Sequence, residues 1–178
     1  YKRELEHFES EFSENQNSMV FFKNWILDVY QNYRGLKRFF RNIPSIFPVI
    51  AKSYFFTSVY GWRIHPITLQ RNFHPAFDIA TLPSSPIRAT ANGVIEYSGW
   101  RGGYGLSIII KHHYGFETRY AHMMKFEEGI MVGKEVKRGD IIGYVGSTGT
   151  STGYHLHYEV WSHGEHVNPN IYLYLDQL

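Results

Sequence analysis

Residues 140–160, DIIGYVGSTGTSTGYHLHYEV, contain the clearest structural signal in this chain. Both ends of the segment are short runs of apolar, β-branched or aromatic residues, which favour strands, while the glycine-rich middle favours tight turns. No lysine follows these glycines at the spacing of a phosphate-binding loop, so a nucleotide site is not indicated. The segment therefore predicts two strands joined by a turn-rich loop.

Segments of the same character occur upstream. Each is short, rich in β-branched or aromatic residues and bounded by turn-forming residues; examples are 87–99, 105–113 and 116–123. The distances between turn signals are too short for strand-helix-strand units, which disfavours a parallel doubly wound sheet. We therefore expect a mainly β protein with an N-terminal α-helical segment, in which the β part is an antiparallel sandwich or barrel-like sheet.

The N-terminal segment carries a heptad pattern. Apolar residues recur at three- and four-residue steps from Leu5 to Ile43, a spacing typical of a helix that packs along one seam. Pro44 and Pro48 end the pattern. The sequence predicts a helical segment over 1–48, as one long helix or a hairpin, and a β domain over 49–178. The seam over residues 5–43 packs on itself, on the β domain, or on a helical or coiled-coil partner.

Composition excludes several classes of function. Lys and Arg total 18 against 16 Asp and Glu, with no long basic run, so we expect no nucleic-acid partner. The chain has no cysteine, which excludes disulfides and thiolate metal sites. The most apolar run, 20–30, is interrupted by Lys23 and Asp28. Because the sequence begins at Tyr1 without a signal peptide, we expect it to be a fragment or mature form of a longer protein. A membrane anchor in the upstream part of that longer protein is compatible with this expectation.

Histidine and aspartate recur at even spacings in two segments. His155 and His157 lie two apart in a strand-like run, so their side chains share a face. His74 and Asp78 also share a face if their segment is extended, and Pro75 disfavours a helix there. Any one of the ten histidines is more often structural than a ligand. However, histidine nitrogen and carboxylate oxygen are ordinary zinc donors, and three such ligands with one open position are typical of catalytic zinc.

Together these motifs resemble those of the lysostaphin and LytM-type zinc peptidases, the peptidoglycan endopeptidases of bacterial cell walls. The resemblance covers about residues 54–169, roughly two-thirds of the chain. It is carried by GWRIHP (61–66), HPAFDIA (74–80), ATANGVIEYSGW (89–100), YGLSIIIKH (104–112), TRYAHM (118–123), VKRGDIIGYVGSTGTSTG (136–153) and HLHYEV (155–160).

The resemblance implies specific roles for five residues. It implies that His74, Asp78 and His157 coordinate Zn²⁺, and that His122 and His155 are the catalytic histidines beside the metal. It also implies a mostly antiparallel β domain with a groove across the sheet. Since the chain has no HExxH glutamate to take a proton from water, one of the two catalytic histidines must do so. The sequence leaves open which of the two it is.

The function expected from this resemblance is zinc-dependent hydrolysis of the peptide cross-links of peptidoglycan, outside the cytoplasm in the periplasm or cell envelope. Two alternatives stay open. One is a non-catalytic LytM-domain regulator that activates another wall hydrolase. The other is a cell-wall-binding module whose tyrosine and tryptophan side chains stack on sugar rings.

The remaining histidines are expected to be structural or exposed. His112 and His113 end a strand-like run, and His163 and His166 lie in a turn-rich segment. His65, in GWRIHP with Arg63, is an open case. Its side chain either forms a hydrogen bond with a substrate carboxylate or has a structural role, and the sequence leaves both interpretations open.

Overall fold

The computed structural model describes residues 34–64, 69–173 and 175. The short, glycine-bounded apolar runs form strands, as their residue types favour. In chain order the elements are α1 (Arg34–Asn42), β1 (Phe55–Ser58), β2 (Gly61–Ile64), β3 (Arg71–His74), β4 (Phe77–Ala80), β5 (Pro86–Arg88), β6 (Gly93–Trp100), a 3₁₀ turn (Gly102–Tyr104), β7 (Leu106–His112), a second 3₁₀ turn (His113–Gly115), β8 (Phe116–Phe126), β9 (Glu135–Val136), β10 (Ile141–Val145), β11 (His155–Ser162), β12 (Glu165–Val167) and α2 (Asn170–Leu173).

Ten of these strands form one sheet. Its main path runs β1-β4-β11-β8-β7-β6-β9, with β10 paired to β5 and β8, and β12 paired to β11. Strands β2 and β3 form a separate two-stranded hairpin. The strand pairs in both sheets are antiparallel. The predicted mainly β, antiparallel architecture is confirmed, and the sheet is open rather than closed into a barrel.

The core lies on one face of the central strands. Ile108 and Ile110 of β7, Tyr120 of β8 and Tyr158 of β11 are fully buried there. The two tyrosine hydroxyls each lie 3.0 Å from the Thr90 hydroxyl, so the polar groups of this core are satisfied. Because strand side chains alternate, the residues next to these tyrosines, including His157, face the opposite side of the sheet.

The chain divides into two compact units, residues 1–38 with Leu178 and residues 39–177. In the second unit, Phe40 near the end of α1 is buried, as are Ile43, Ile46 and Val49 in the segment that follows the helix. Most of the heptad segment, residues 5–33, lies outside the described residues, as does His65. The predicted division into 1–48 and 49–178 therefore stays a prediction. None of the described helices has the length and apolar character needed to cross a membrane.

Candidate metal centre

Strand pairing brings the three predicted metal ligands together. His74 ends β3, Asp78 lies in β4, and the antiparallel pairing of β4 with β11 puts Asp78 opposite His157. One ligand atom from each residue lies within 4.8 Å of the others. His74 and Asp78 do not lie on one continuous strand. Even so, His74 Nε2 is 3.3 Å from Asp78 Oδ2.

The two ring nitrogens of His74 have different surroundings. Its Nδ1 lies 3.1 Å from the carbonyl oxygen of Val59, which can only accept, so Nδ1 carries the proton and donates it. The Ser58 hydroxyl lies 3.1 Å from the same nitrogen. Nε2 is therefore left with a lone pair that points at a carboxylate. Within the described residues this buried atom has no hydrogen-bond partner, an arrangement that fits a cation between His74 and Asp78.

His157 lies between two carboxylates. Its Nδ1 is 2.9 Å from Asp78 Oδ1, and its Nε2 is 3.0 Å from Glu159 Oε1. Burial disfavours the imidazolium form, but hydrogen bonds and charge from Asp78 and Glu159 outweigh it and raise the pKa of His157 to about 9. For Asp78, burial raises the pKa, but the hydrogen bond and the charge of His157 oppose this effect, and the pKa lies below its usual range. A metal cation in place of the proton on His157 Nδ1 could bind that nitrogen together with the Asp78 carboxylate.

Glu159 also contacts the candidate metal centre, although it is not among the site residues predicted from the sequence. It is fully buried and, besides His157, accepts hydrogen bonds from the Tyr104 hydroxyl at 3.1 Å and Trp161 Nε1 at 2.6 Å. Arg119 Nη1 lies 3.6 Å from the same carboxylate. Burial raises the pKa of Glu159, but the bond to His157 and the other partners reverse this and keep the pKa below the usual value. The two-residue spacing of His155, His157 and Glu159 in HLHYEV puts all three side chains on one face of a strand, and this spacing could have indicated that Glu159 lies at the site.

The two predicted catalytic histidines lie beside this cluster. The ring centroids of His122 and His155 are 4.7 Å apart, and those of His122 and His157 are 5.8 Å apart. The Nδ1 of His122 donates to the Thr148 carbonyl at 2.8 Å, and the Nδ1 of His155 donates to the Gly153 carbonyl at 2.9 Å. Both rings therefore keep Nε2 for other partners, and Nε2 of His155 lies 3.8 Å from Asp78 Oδ1.

The backbone of His122 is unusual. Its φ is 58°, in the left-handed region that non-glycine residues seldom adopt and that is often found at functional sites. The Thr148 side chain fixes the loop that holds it, because its hydroxyl donates to the Met123 carbonyl at 2.7 Å and accepts from the Leu106 amide at 3.0 Å. Burial lowers the pKa of His122 to about 4, against the opposing hydrogen bond to Thr148. His122 is therefore neutral near pH 7.

The sequence of this chain matches a known protein family. The sequence profile of peptidase family M23 matches residues 72–169, more than half of the chain. The chain belongs to peptidase family M23. This M23 domain spans all five residues that the sequence predicted for the site, and the lysostaphin-type resemblance is confirmed.

Two curated relatives show the closeness of the match. The chain is 45% identical over 113 residues to the DD-carboxypeptidase/endopeptidase Mpg of Neisseria meningitidis, a match covering 64% of this chain and 26% of the relative. It is 34% identical over 139 residues to the peptidoglycan DD-endopeptidase ShyC of Vibrio cholerae, covering 78% of this chain and 30% of that protein. This M23 domain thus corresponds to only about a quarter to a third of the length of these relatives.

Solved structures share the fold. A zinc-containing peptidase from Vibrio cholerae matches with a TM-score of 0.62 and 34% identity, over 70% of this chain and 38% of that one. The catalytic domain of the antimicrobial peptidase lysostaphin from Staphylococcus simulans matches with a TM-score of 0.58 and 31% identity, over 66% of this chain and 90% of that one. Both likenesses agree with a metallopeptidase fold.

Four further histidines are not among the described residues that could together bind a metal ion; they are His112, His113, His163 and His166. His113 and His163 are exposed, as predicted. His112 and His166 are only partly exposed, because each has structural partners. His112 Nδ1 donates to the Asn92 carbonyl at 2.9 Å. His166 stacks on Phe73 with ring centroids 5.3 Å apart, and its Nδ1 lies 3.0 Å from the Tyr60 hydroxyl.

Proposed function

We propose that this M23 domain is a zinc-dependent endopeptidase that hydrolyses peptide cross-links of bacterial peptidoglycan, with His74, Asp78 and His157 as the metal ligands. One observation carries the proposal. The lone pair of His74 Nε2 is buried without a hydrogen-bond partner among the described residues and is directed at the Asp78 carboxylate, which also faces His157 Nδ1. An unsatisfied acceptor in such a place costs stability unless a cation fills it.

His74, Asp78 and His157 would hold a zinc ion, which when bound would supply Lewis-acid chemistry for a substrate carbonyl and would lower the pKa of water towards neutrality. The remaining steps belong to side chains. Either His122 or His155 accepts the proton of the attacking water through Nε2 and passes it to the leaving amine. The other, when protonated, donates a hydrogen bond to the oxyanion that develops on the substrate carbonyl. The carbonyls of Thr148 and Gly153 keep both rings oriented for these roles.

The relatives support the proposed substrate and location. ShyC is named a peptidoglycan DD-endopeptidase, and Mpg a DD-carboxypeptidase/endopeptidase. We extend the peptidoglycan substrate to this chain because both predicted catalytic histidines and all three predicted ligands are present and close together. Since peptidoglycan lies outside the cytoplasm, we propose an extracytoplasmic, periplasmic or cell-envelope location.

A metal assay followed by digestion of purified peptidoglycan tests this function against the non-catalytic alternatives. We expect one zinc ion per chain and the release of cleaved muropeptides that stops when a chelator removes the metal. A protein that binds peptidoglycan, holds no zinc and releases no muropeptides would instead be a regulator or a wall-binding module.

Alanine variants separate the ligand and catalytic roles. We expect His74→Ala to lose stoichiometric zinc because it removes the Nε2 lone pair that would bind the metal. We expect His122→Ala to keep zinc and fold while its hydrolysis rate falls about 10²- to 10⁴-fold, since it removes only a proton-transfer group. Zinc content and muropeptide release measured on the same preparations check both. His163→Ala, at an exposed turn, is the matched control, and near-normal hydrolysis by His122→Ala would remove His122 from the mechanism.

A further inference from the structure

Arg63 places a positive charge beside the candidate metal centre. It lies on β2, and the pairing of Gly61 with His74 and of Arg63 with Asn72 puts it on the same face of the hairpin as His74. Its Nη2 is 3.7 Å from Asp78 Oδ2, and its side chain is 28% exposed. The guanidinium thus reaches the edge of the site while part of it stays open to solvent.

The contact with Asp78 does not account for this charge. At 3.7 Å the two groups attract each other but are too far apart for a hydrogen bond. The Asp78 oxygens already face His157 Nδ1 at 2.9 Å and His74 Nε2 at 3.3 Å. A fixed cation beside a metal ligand also repels the metal ion. An arginine that weakens its own metal centre is better explained by an anion that arrives with the substrate.

The chemistry of the scissile bond suggests which anion this is. In some wall cross-links the carbon that bears the leaving nitrogen also carries a free carboxylate, whereas in a glycyl bridge the corresponding carbonyl is part of another amide. Such a carboxylate lies two bonds from the leaving nitrogen. It must therefore come within a few ångströms of the metal centre when the carbonyl reacts. A guanidinium is the side chain best suited to bind a carboxylate through two parallel hydrogen bonds.

We propose that Arg63 is a specificity-determining residue that binds the free carboxylate on the leaving-group side of the scissile peptide bond. This inference rests on the proposed function and deepens it. Arg63 would select cross-links and terminal residues in which the carbon that bears the leaving nitrogen also carries a free carboxylate. It would disfavour glycyl bridges. Arg63 binds and orients the substrate and takes no part in proton transfer.

Two matched substrates test the role of Arg63. One is a cross-linked muropeptide dimer with the leaving-side carboxylate free, and the other is the same dimer with that carboxylate converted to the amide. We expect the zinc-loaded protein to prefer the free acid in kcat/KM by about 10- to 100-fold. Arg63→Gln should abolish this preference, mainly through KM, with its zinc content and Tm unchanged. Arg63→Lys should restore part of it, because it keeps the charge without the planar fork.

Arg71→Gln is the control, since Arg71 lies on the same hairpin with its guanidinium 5.0 Å from the Trp62 ring centroid. It should keep the preference. Equal cleavage of both substrates by the unmodified protein, or a preference that persists in Arg63→Gln, would overturn the role of Arg63 while leaving the hydrolase function intact. An equal loss on both substrates in Arg63→Gln would show that Arg63 acts only through Asp78. Cleavage of neither substrate by the unmodified protein contradicts the proposed function itself, and the Arg63 role with it.

Discussion

Glu159 is a fully buried carboxylate at the edge of the candidate metal centre. Burying such a charge is costly unless hydrogen bonds and opposite charges compensate it. Its partners His157, Tyr104 and Trp161 supply that compensation. If His157 holds zinc through Nδ1, its Nε2 proton points at Glu159, an arrangement that fixes the ring and makes it a stronger ligand. We therefore propose that Glu159 is a positioning residue, which would hold His157 in place for the metal.

Glu159→Gln tests this role of the buried carboxylate. The amide keeps an acceptor for His157 but removes the negative charge, so we expect zinc affinity to fall about 10- to 100-fold. Titration against a competing chelator measures the affinity without reference to activity. The control is Glu117→Gln, because Glu117 pairs with Arg119 at 2.6 Å and does not contact His157. An affinity for zinc within twofold of the unmodified protein would contradict the role assigned to Glu159.

At the scale of single strands, β11 shows what the sequence could predict. The two-residue period of HLHYEV places His155 and His157 on one face, and the structure confirms both the strand and the shared surroundings of the two rings. The pairing of His157 with Asp78 could not be predicted, because register between segments 79 residues apart depends on long-range packing. The left-handed backbone of His122 was also unpredictable, since it depends on the Thr148 loop.

The end of β7 carries a partly buried imidazole, that of His112, which is not one of the candidate metal ligands. His112 Nε2 lies 2.7 Å from the Thr118 hydroxyl, which in turn lies 3.0 Å from the Tyr120 hydroxyl in the core. Burial lowers the pKa of His112 from 6.5 to about 4, despite the opposing hydrogen bond to Asn92. Between these values the unfolded chain binds more protons than the folded one. The stability contributed by the neutral ring is therefore present above pH 6.5 and is lost as the pH falls towards 4.

His112→Gln should make the stability of the β domain less sensitive to pH. In metal-free protein we expect the variant to be destabilised at pH 7, and we expect this difference to shrink by up to roughly 3 kcal/mol at pH 4, the equivalent of the pKa change. Chemical denaturation across this pH range gives the free energy of unfolding. His113→Gln, at the exposed neighbouring residue, should follow the unmodified protein. Parallel stability curves for His112→Gln and the unmodified protein would show that His112 is not the group responsible.

At the scale of the whole molecule, an open antiparallel sheet brings together side chains that are distant in sequence. Its core face is filled by Ile108, Ile110, Tyr120 and Tyr158, and the opposite face carries the candidate metal centre. The composition and turn spacing predicted this mainly β fold because they reflect local preferences. They could not predict that the hairpin β2–β3 would form a separate sheet or bring Arg63 to Asp78. The match to this chain spans about a quarter of the length of Mpg and about a third of that of ShyC.

Anomalous X-ray diffraction at the zinc edge, on crystals of the zinc-loaded protein, tests the central claim most directly. The account predicts one strong peak bound by His74 Nε2, an Asp78 carboxylate oxygen and His157 Nδ1, with a fourth position taken by a non-protein ligand. Diffraction from His74→Ala crystals grown under the same conditions should lack the peak. A zinc peak elsewhere on the chain, or one whose four ligands are all protein atoms, would contradict the account.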